Sequence, residues 1–245
     1  MKKKLFIPLT CLVTAFILNA CAVSYESIKI KPYHSINLKV SEPSDICPNP
    51  LKPNHFFIAS DDGYLAEINK DGEVTRTKDL PIYDAEAVYA NEEHIYVIDE
   101  FSRSITQLNH DLETIRTKTI AYGGGRNRSY EAFTYNPVKK KFLLFTEKSP
   151  IYMFELTEDL NIYNERKMGK IARDISAATF YKDHLYLLSD EDKLIFKMNP
   201  STYEIIQTWY IPVINPEGIA FDSDGNVLII SDDREKLYFF NPLDK

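Results

Sequence analysis

The chain has 245 residues and 36 acidic against 29 basic side chains, a formal charge of −7 at neutral pH. This acidic balance argues against a nucleic-acid partner, which selects a basic face, and against electrostatic docking on anionic lipid. Cysteine is scarce, at positions 11, 21 and 47 only.

Lys2, Lys3 and Lys4 form a basic start, followed by an uncharged stretch over residues 5–18 that is broken by Pro8. That stretch is shorter than the roughly 20 apolar residues needed to span a bilayer. Basic start, short apolar core and small terminal residues mark a secretory signal. Leu18-Asn19-Ala20-Cys21 has the form of a lipobox: a small residue precedes the cut, and a free thiol is placed to accept a diacylglycerol. An ordinary signal peptide with an incidental cysteine is the competing reading. The lipobox reading makes residues 1–20 a lipoprotein signal peptide and Cys21 the lipidation site. Residues 21–34 become a lipidated tether, and residues 35–245 the folded domain. Two or three acyl chains hold a protein firmly at a membrane. The expected location is therefore the bacterial cell envelope. Ala22 stands where an Asp would favour inner-membrane retention, so a Gram-negative source implies the outer membrane, facing the periplasm. Losing the three lysines moves the charge from −7 to −10. Cys11 leaves with the signal and Cys21 is acylated, so Cys47 is alone and is expected to be a buried, inert thiol.

From residue 35 onward, short runs rich in Ile, Val, Leu, Phe, Tyr and Thr alternate with Asp, Asn, Gly and Pro, the signature of strands and turns. They fall into five copies of one unit. The units open on Glu42-Pro43-Ser44-Asp45-Ile46, Asp84-Ala85-Glu86-Ala87-Val88, Ser129-Tyr130-Glu131-Ala132-Phe133, Asp174-Ile175-Ser176-Ala177-Ala178 and Asn215-Pro216-Glu217-Gly218-Ile219. Ser44, Glu86, Glu131, Ser176 and Glu217 are spaced by 42, 45, 45 and 41 residues, matching a four-stranded propeller blade of roughly 40–45 residues. The second strands, residues 56–61, 95–100, 142–147, 185–190 and 227–232, are nearly continuous apolar runs ending in acid. Such runs belong to strands covered on both faces. A third strand and, in four units, an outer strand follow. The fifth unit ends without an outer strand, while residues 35–40 form a strand without a blade. Pairing these two leaves no open edge. The prediction is an all-β, five-bladed β-propeller closed by an N-terminal strand, with an irregular β-sandwich as the alternative.

At these residues the chain resembles the SdiA-regulated (YjiK-like) family. That family shows five openings of the type Glu-Gly-Leu or Ser-Gly-Leu, an acid after the second strand, and a closing Pro-x-x-Glu-Gly-Val/Ile-Ala. Asn215-Pro216-Glu217-Gly218-Ile219-Ala220 is similar to the closing motif. The glycine after the key residue survives only at Gly218 and is Asp45, Ala87, Ala132 and Ala177 elsewhere. The resemblance implies the propeller and a relation to six-bladed propellers with metal-dependent lactonase or phosphotriesterase activity.

In a propeller the first strand of each blade starts at one rim and the second returns to it. Glu86, Glu131 and Glu217, with Ser44 and Ser176, should converge on the channel mouth. Asp61, Glu100, Glu147, Asp190 and Asp232 lie 17, 14, 16, 14 and 15 residues later and should form a second ring nearby. Clustered carboxylates repel unless a cation intervenes, and oxygen-only ligands suit Ca²⁺ or Mg²⁺ rather than zinc. Glu86, Glu131 and Glu217 are therefore candidate metal ligands. The competing reading is that they accept backbone hydrogen bonds and lock the ring. The segment Tyr122-Gly123-Gly124-Gly125-Arg126-Asn127-Arg128-Ser129 opens on the same rim, where Arg126 and Arg128 could neutralise acids or hold an anion; a plain solvated loop is the alternative. His55, His94 and His184 each precede a rim acid by six residues, about 20 Å of strand, and so belong to the opposite face. Tyr83, Tyr130 and Tyr181 are candidates for a binding face or for packing. Neither a nucleophile elbow nor a Ser-His-Asp set can be assembled.

The resulting expectation is a monomeric, membrane-anchored binding or scaffold lipoprotein, with a small molecule or an envelope protein as partner. A metal-dependent hydrolase using the acidic mouth is the alternative.

Overall fold

The computed structural model describes residues 26–121, 123 and 129–243. Every described regular element is a strand. Two short strands come first, β1 (Ile28–Lys29) and β2 (His34–Asn37). Blade one comprises β3 (Pro43–Pro48), β4 (His55–Ser60), β5 (Tyr64–Asn69) and β6 (Val74–Asp79). Blade two comprises β7 (Ala85–Ala90), β8 (Ile95–Asp99), β9 (Ser104–Leu108) and β10 (Thr114–Thr119). Blade three holds β11 (Tyr130–Asn136), β12 (Lys141–Thr146), β13 (Tyr152–Leu156) and β14 (Ile162–Lys167). Blade four is built from β15 (Ala177–Tyr181), β16 (His184–Ser189), β17 (Leu194–Met198) and β18 (Ile205–Tyr210). Blade five supplies β19 (Pro216–Phe221), β20 (Val227–Ser231) and β21 (Lys236–Phe240).

Each blade is an antiparallel meander running from axis to periphery, and the innermost strands β3, β7, β11, β15 and β19 contact one another around the ring. The burial gradient follows the sequence pattern. Every residue of β8 and β20 is buried, whereas every residue of β14, Ile162–Lys167, is exposed. Second strands are apolar on both faces because a blade lies on either side. Five apolar clusters fill the five seams between blades. Third-to-outer turns reuse one device: the side-chain oxygens of Asn69, Asn109 and Asn199 accept backbone N–H groups two residues on, at 3.0, 3.0 and 2.8 Å.

The ring closes as the strand count requires. β2 pairs antiparallel with β21, His34 opposite Phe239 and Ile36 opposite Leu237, completing blade five. The Leu38 N–H then donates to the Glu235 carbonyl at 2.7 Å. Leu38 and Val40 bury with Ile46, Ile58, Leu228 and Ile230 in the seam between blades five and one. The folded unit also begins earlier than sequence places it. Ile28 and Lys29, assigned to the tether, pair in parallel with Trp209 and Tyr210 as a fifth strand of blade four.

The glycine-to-alanine exchange at the inner strands is harmless in three blades, where Ala87, Ala132 and Ala177 pack fully buried. At Gly218 it is not. A Cβ there would lie 2.8 Å from the Ile46 nitrogen and 2.9 Å from the Asp45 Cα, so the closing seam brings β19 and β3 into backbone contact.

The closure carries a prediction. Leu38→Ala should lower unfolding stability by about 2–4 kcal/mol, the usual cost of a buried leucine. Hydrogen exchange should accelerate first in β2 and β21. Uniform acceleration around the ring would show that the N-terminal strand does not close it.

Candidate functional site

The inner strands do not run straight into the mouth. Pairing of β3 with β4 shifts register between Pro43 and Asp45, and that of β7 with β8 between Ala85 and Ala87. The same shift falls between Tyr130 and Ala132 in blade three and between Pro216 and Gly218 in blade five. The bulged residues are Ser44, Glu86, Glu131 and Glu217, four of the five key positions. A bulge puts two residues opposite one and re-aims the extra side chain; here it turns each key residue out of the blade-to-blade packing. In blade four Ser176 precedes β15, and its hydroxyl donates to the Pro216 carbonyl of the next blade at 2.8 Å.

The second ring is pinned to the first by backbone. The N–H groups of Asp61, Glu100, Glu147 and Asp232 donate to the carbonyls of Glu42, Asp84, Ser129 and Asn215 at 3.0, 2.9, 3.1 and 3.3 Å. Each acceptor lies two residues before a bulge. In blade four the Asp190 N–H donates instead to the Asp174 carboxylate at 3.2 Å.

Ligand-capable oxygens meet in two groups rather than the one expected. Asp61, Asp84 and Glu86 bring carboxylate oxygens within 4.8 Å of one another, and so do Glu100, Glu131 and Glu147. Among the described residues, no group of that tightness unites Glu86, Glu131 and Glu217. The reason is geometric. These three come from different blades, whereas Glu86 and Glu131 each lie beside a rim acid of their own or the preceding blade, and Glu217 joins neither group.

Electrostatically the two rings form one system. Burial and the neighbouring Asp61, Asp84, Glu100 and Glu217 push the Glu86 carboxyl well above the usual range. Glu131 is raised in the same way, by burial and then by Glu86, Glu147 and Glu217. Glu217 is pushed up to about 8 by burial and by Asp190 and Asp232. Glu100 reaches about 7 through burial and Asp84, while Asp61 and Asp232 are each raised to about 6 by burial and acidic neighbours. Only part of the charge is offset locally: Lys148 pairs with Glu147 at 2.5 Å and Lys193 with Asp190 at 2.6 Å. No hydrogen bond or ion pair to a described residue satisfies Glu86, Glu131 or Glu217. They therefore do not act as backbone locks. That role belongs to Asp45, fully buried, whose two carboxylate oxygens accept the N–H groups of Ile46 at 2.8 Å and of Val88, in the next blade, at 3.0 Å.

Other sequence candidates separate cleanly. Arg126 and Arg128 lie outside the described residues, as does Cys21. Tyr130 is packing, fully buried with its hydroxyl donating to the Ile120 carbonyl at 3.1 Å. Tyr83 stands on the acidic rim, 79% exposed, its ring edge-on to that of Phe101 at 5.7 Å. His55 and His184 open β4 and β16 at the face opposite the mouth. Glu42, Asp84 and Asp174 were missed as site residues. Their signal was present, an acid two positions before the key residue in three of five openings.

A family model described as SdiA-regulated matches residues 24–241. No curated protein matches the sequence. Among solved structures, a glutaminyl cyclase from Myxococcus xanthus superposes with a TM-score of 0.70 at 12% identity, covering 88% of this chain and 98% of that one. At such identity the likeness shows the fold alone.

The raised carboxyls make stability fall with pH. A carboxyl whose native pKa exceeds its unfolded value binds its proton more tightly in the fold, so the native state loses ground as pH rises from about 4 to about 8. Glu217→Gln should therefore raise the melting temperature at about pH 8 by roughly 3–6 °C, on the order of 1–2 kcal/mol, and leave it unchanged near pH 4. A variant no more stable than the parent at pH 8 would contradict the electrostatic conflict described here. The chain belongs to the SdiA-regulated family.

Proposed function

We propose that this chain is a binding propeller of the bacterial envelope, tethered by acyl chains on Cys21, whose acidic mouth takes a cation. The observation that carries the reading is the bulge in blades two, three and five, which points three unpaired glutamates at a shared rim already crowded with acid. A cation entering there displaces protons from carboxyls that resist ionisation, and the repulsion among them turns into attraction for the guest. The donors are all oxygen, the set that suits Ca²⁺ or Mg²⁺. Asp61, Asp84 and Glu86 would supply one set of ligands, and Glu100, Glu131 and Glu147 the other. The exposed Tyr83–Phe101 pair beside this rim adds an apolar shelf for the organic part of a ligand or partner.

A second reading is enzymatic. Glu100 at about 7 and Glu217 at about 8 titrate where a general acid or base works best. This favours a hydrolase of lactonase or phosphotriesterase type using the mouth, and it also makes cyclisation of an N-terminal glutamine, the activity named for the structural neighbour, worth assaying. Turnover on such a panel, lost in Glu131→Gln, would establish this reading over pure binding.

Calorimetric titration of the purified lipoprotein with Ca²⁺ and Mg²⁺ tests the first reading. Binding should release protons, seen as heats that depend on the buffer. Glu86→Gln and Glu131→Gln should each weaken it at least about tenfold, as loss of a charged ligand does. No heat with either ion, and no shift in melting temperature, would overturn the cation site.

The anchor is tested separately. Cys21→Ser should abolish incorporation of labelled palmitate and move the protein from the membrane to the soluble fraction. A Cys21→Ser chain that stays acylated or sediments with membrane unchanged would contradict it.

A further inference from the structure

The axis of this propeller has two ends, and only one is acidic. Below the mouth lies a level of Asp45, Ala87, Ala132 and Ala177, all buried, the three alanines packed in the seams between blades, with Gly218 in backbone contact across the closing seam. Two to four residues further along, roughly 7–13 Å at 3.3 Å per residue, the strands reach the opposite end. There a cleft of about 250 Å³ is lined by residues from all five inner strands, among them Cys47, Tyr89, Thr134, Thr179, Tyr181 and Phe221.

The chemistry of this cleft is the reverse of the mouth. No lining residue bears a charge. Burial raises the Cys47 thiol well above its usual range and the Tyr89 phenol likewise, so both remain neutral. The rings of Tyr181 and Phe221 stack at 4.1 Å and 3°, a rigid aromatic pair in the cleft wall. The Thr134 hydroxyl opens on this cleft and has no hydrogen-bond partner among the described residues. Such a hydroxyl is free to donate to or accept from a ligand. Thr179 opens on the same space.

We propose that this basal axial cleft is a second binding site, for a small uncharged molecule built on one flat ring with a polar substituent. The volume sets the scale: an engineered apolar cavity of about 150 Å³ holds benzene, and the larger cleft leaves room for one substituent beside the ring. The aromatic lining of Tyr89, Phe180, Tyr181 and Phe221 takes the ring by edge contacts. The Thr134 hydroxyl takes the substituent. A charged ligand would give up its hydration against walls with no counter-charge.

The test uses the mature chain, residues 21–245, produced without acylation so that no detergent competes for apolar probes. Phenol is titrated by calorimetry, with benzoate and benzylamine as charged counterparts and toluene as the ring lacking a polar group. Phenol should bind, and neither charged probe should. Thr134→Val, which keeps the shape and removes the hydroxyl, should weaken phenol about fivefold and leave toluene unchanged. Alkylation of Cys47 by N-ethylmaleimide, read by peptide mapping with Cys21 as the internal control, should be slowed by phenol alone of these polar probes. Absence of phenol binding, equal binding of benzoate, or an unchanged phenol affinity in Thr134→Val would each overturn the proposal. Since the cleft and the acidic mouth share no lining residue, Ca²⁺ titration of the same sample succeeds or fails independently of this outcome.

Discussion

The pairing of β2 with β21 is the constraint on which the rest depends. A propeller blade cannot stand alone, since its second strand is apolar on both faces and must be covered by neighbours. Five such blades bury every face only if the last meets the first. Here blade five takes β19, β20 and β21 from one end of the fold and its outer strand, β2, from the other. Leu38 and Val40, just beyond it, plug the seam, and Gly218 gives the space that lets β19 approach β3. Open the ring and the key residues of blades one and five lose their common rim.

Closure also creates the electrostatic tension that defines the mouth. Inner strands converge, so whatever they carry at their first turn is concentrated on the axis. The bulges direct three glutamates there and the hairpins bring five more acids behind them. Folding must hold these carboxyls together at a cost, visible in the elevated pKa of Glu86, Glu131 and Glu217. Strain of this kind, maintained by a rigid scaffold, is characteristic of sites that act on a ligand.

Much of the architecture was legible in the sequence because it repeats. The 41–45-residue spacing, the apolar second strands and the mismatch of strands at the two termini all follow from the physics of stacked blades. The site was legible as a list of residues and less so as a geometry. Glu86, Glu131 and Glu217 share a strand position and hence a rim, but position in a repeat does not set lateral distance, and the close groupings instead join Glu86 and Glu131 to neighbouring acids and leave Glu217 out. Asp84 escaped notice because its side chain matters only once the bulge at Glu86 is known. Asp45, an apparent departure from the family pattern, turned out to staple blade one to blade two through the Val88 N–H, a role no spacing could reveal. The strand at Ile28 was hidden by its brevity: two residues carry no periodicity.

The central claim is that the acids of the mouth remain partly protonated near neutral pH and give up those protons to a cation. Carboxyl ¹³C chemical shifts, followed through a pH titration of the labelled chain with and without Ca²⁺, measure this directly. The account predicts at least two glutamate resonances titrating above about pH 6.5 in the absence of the ion, absent from Glu217→Gln and Glu100→Gln respectively, and shifting to their ionised positions when Ca²⁺ is added at neutral pH. Carboxyls that all titrate below about pH 5, indifferent to Ca²⁺, would contradict it.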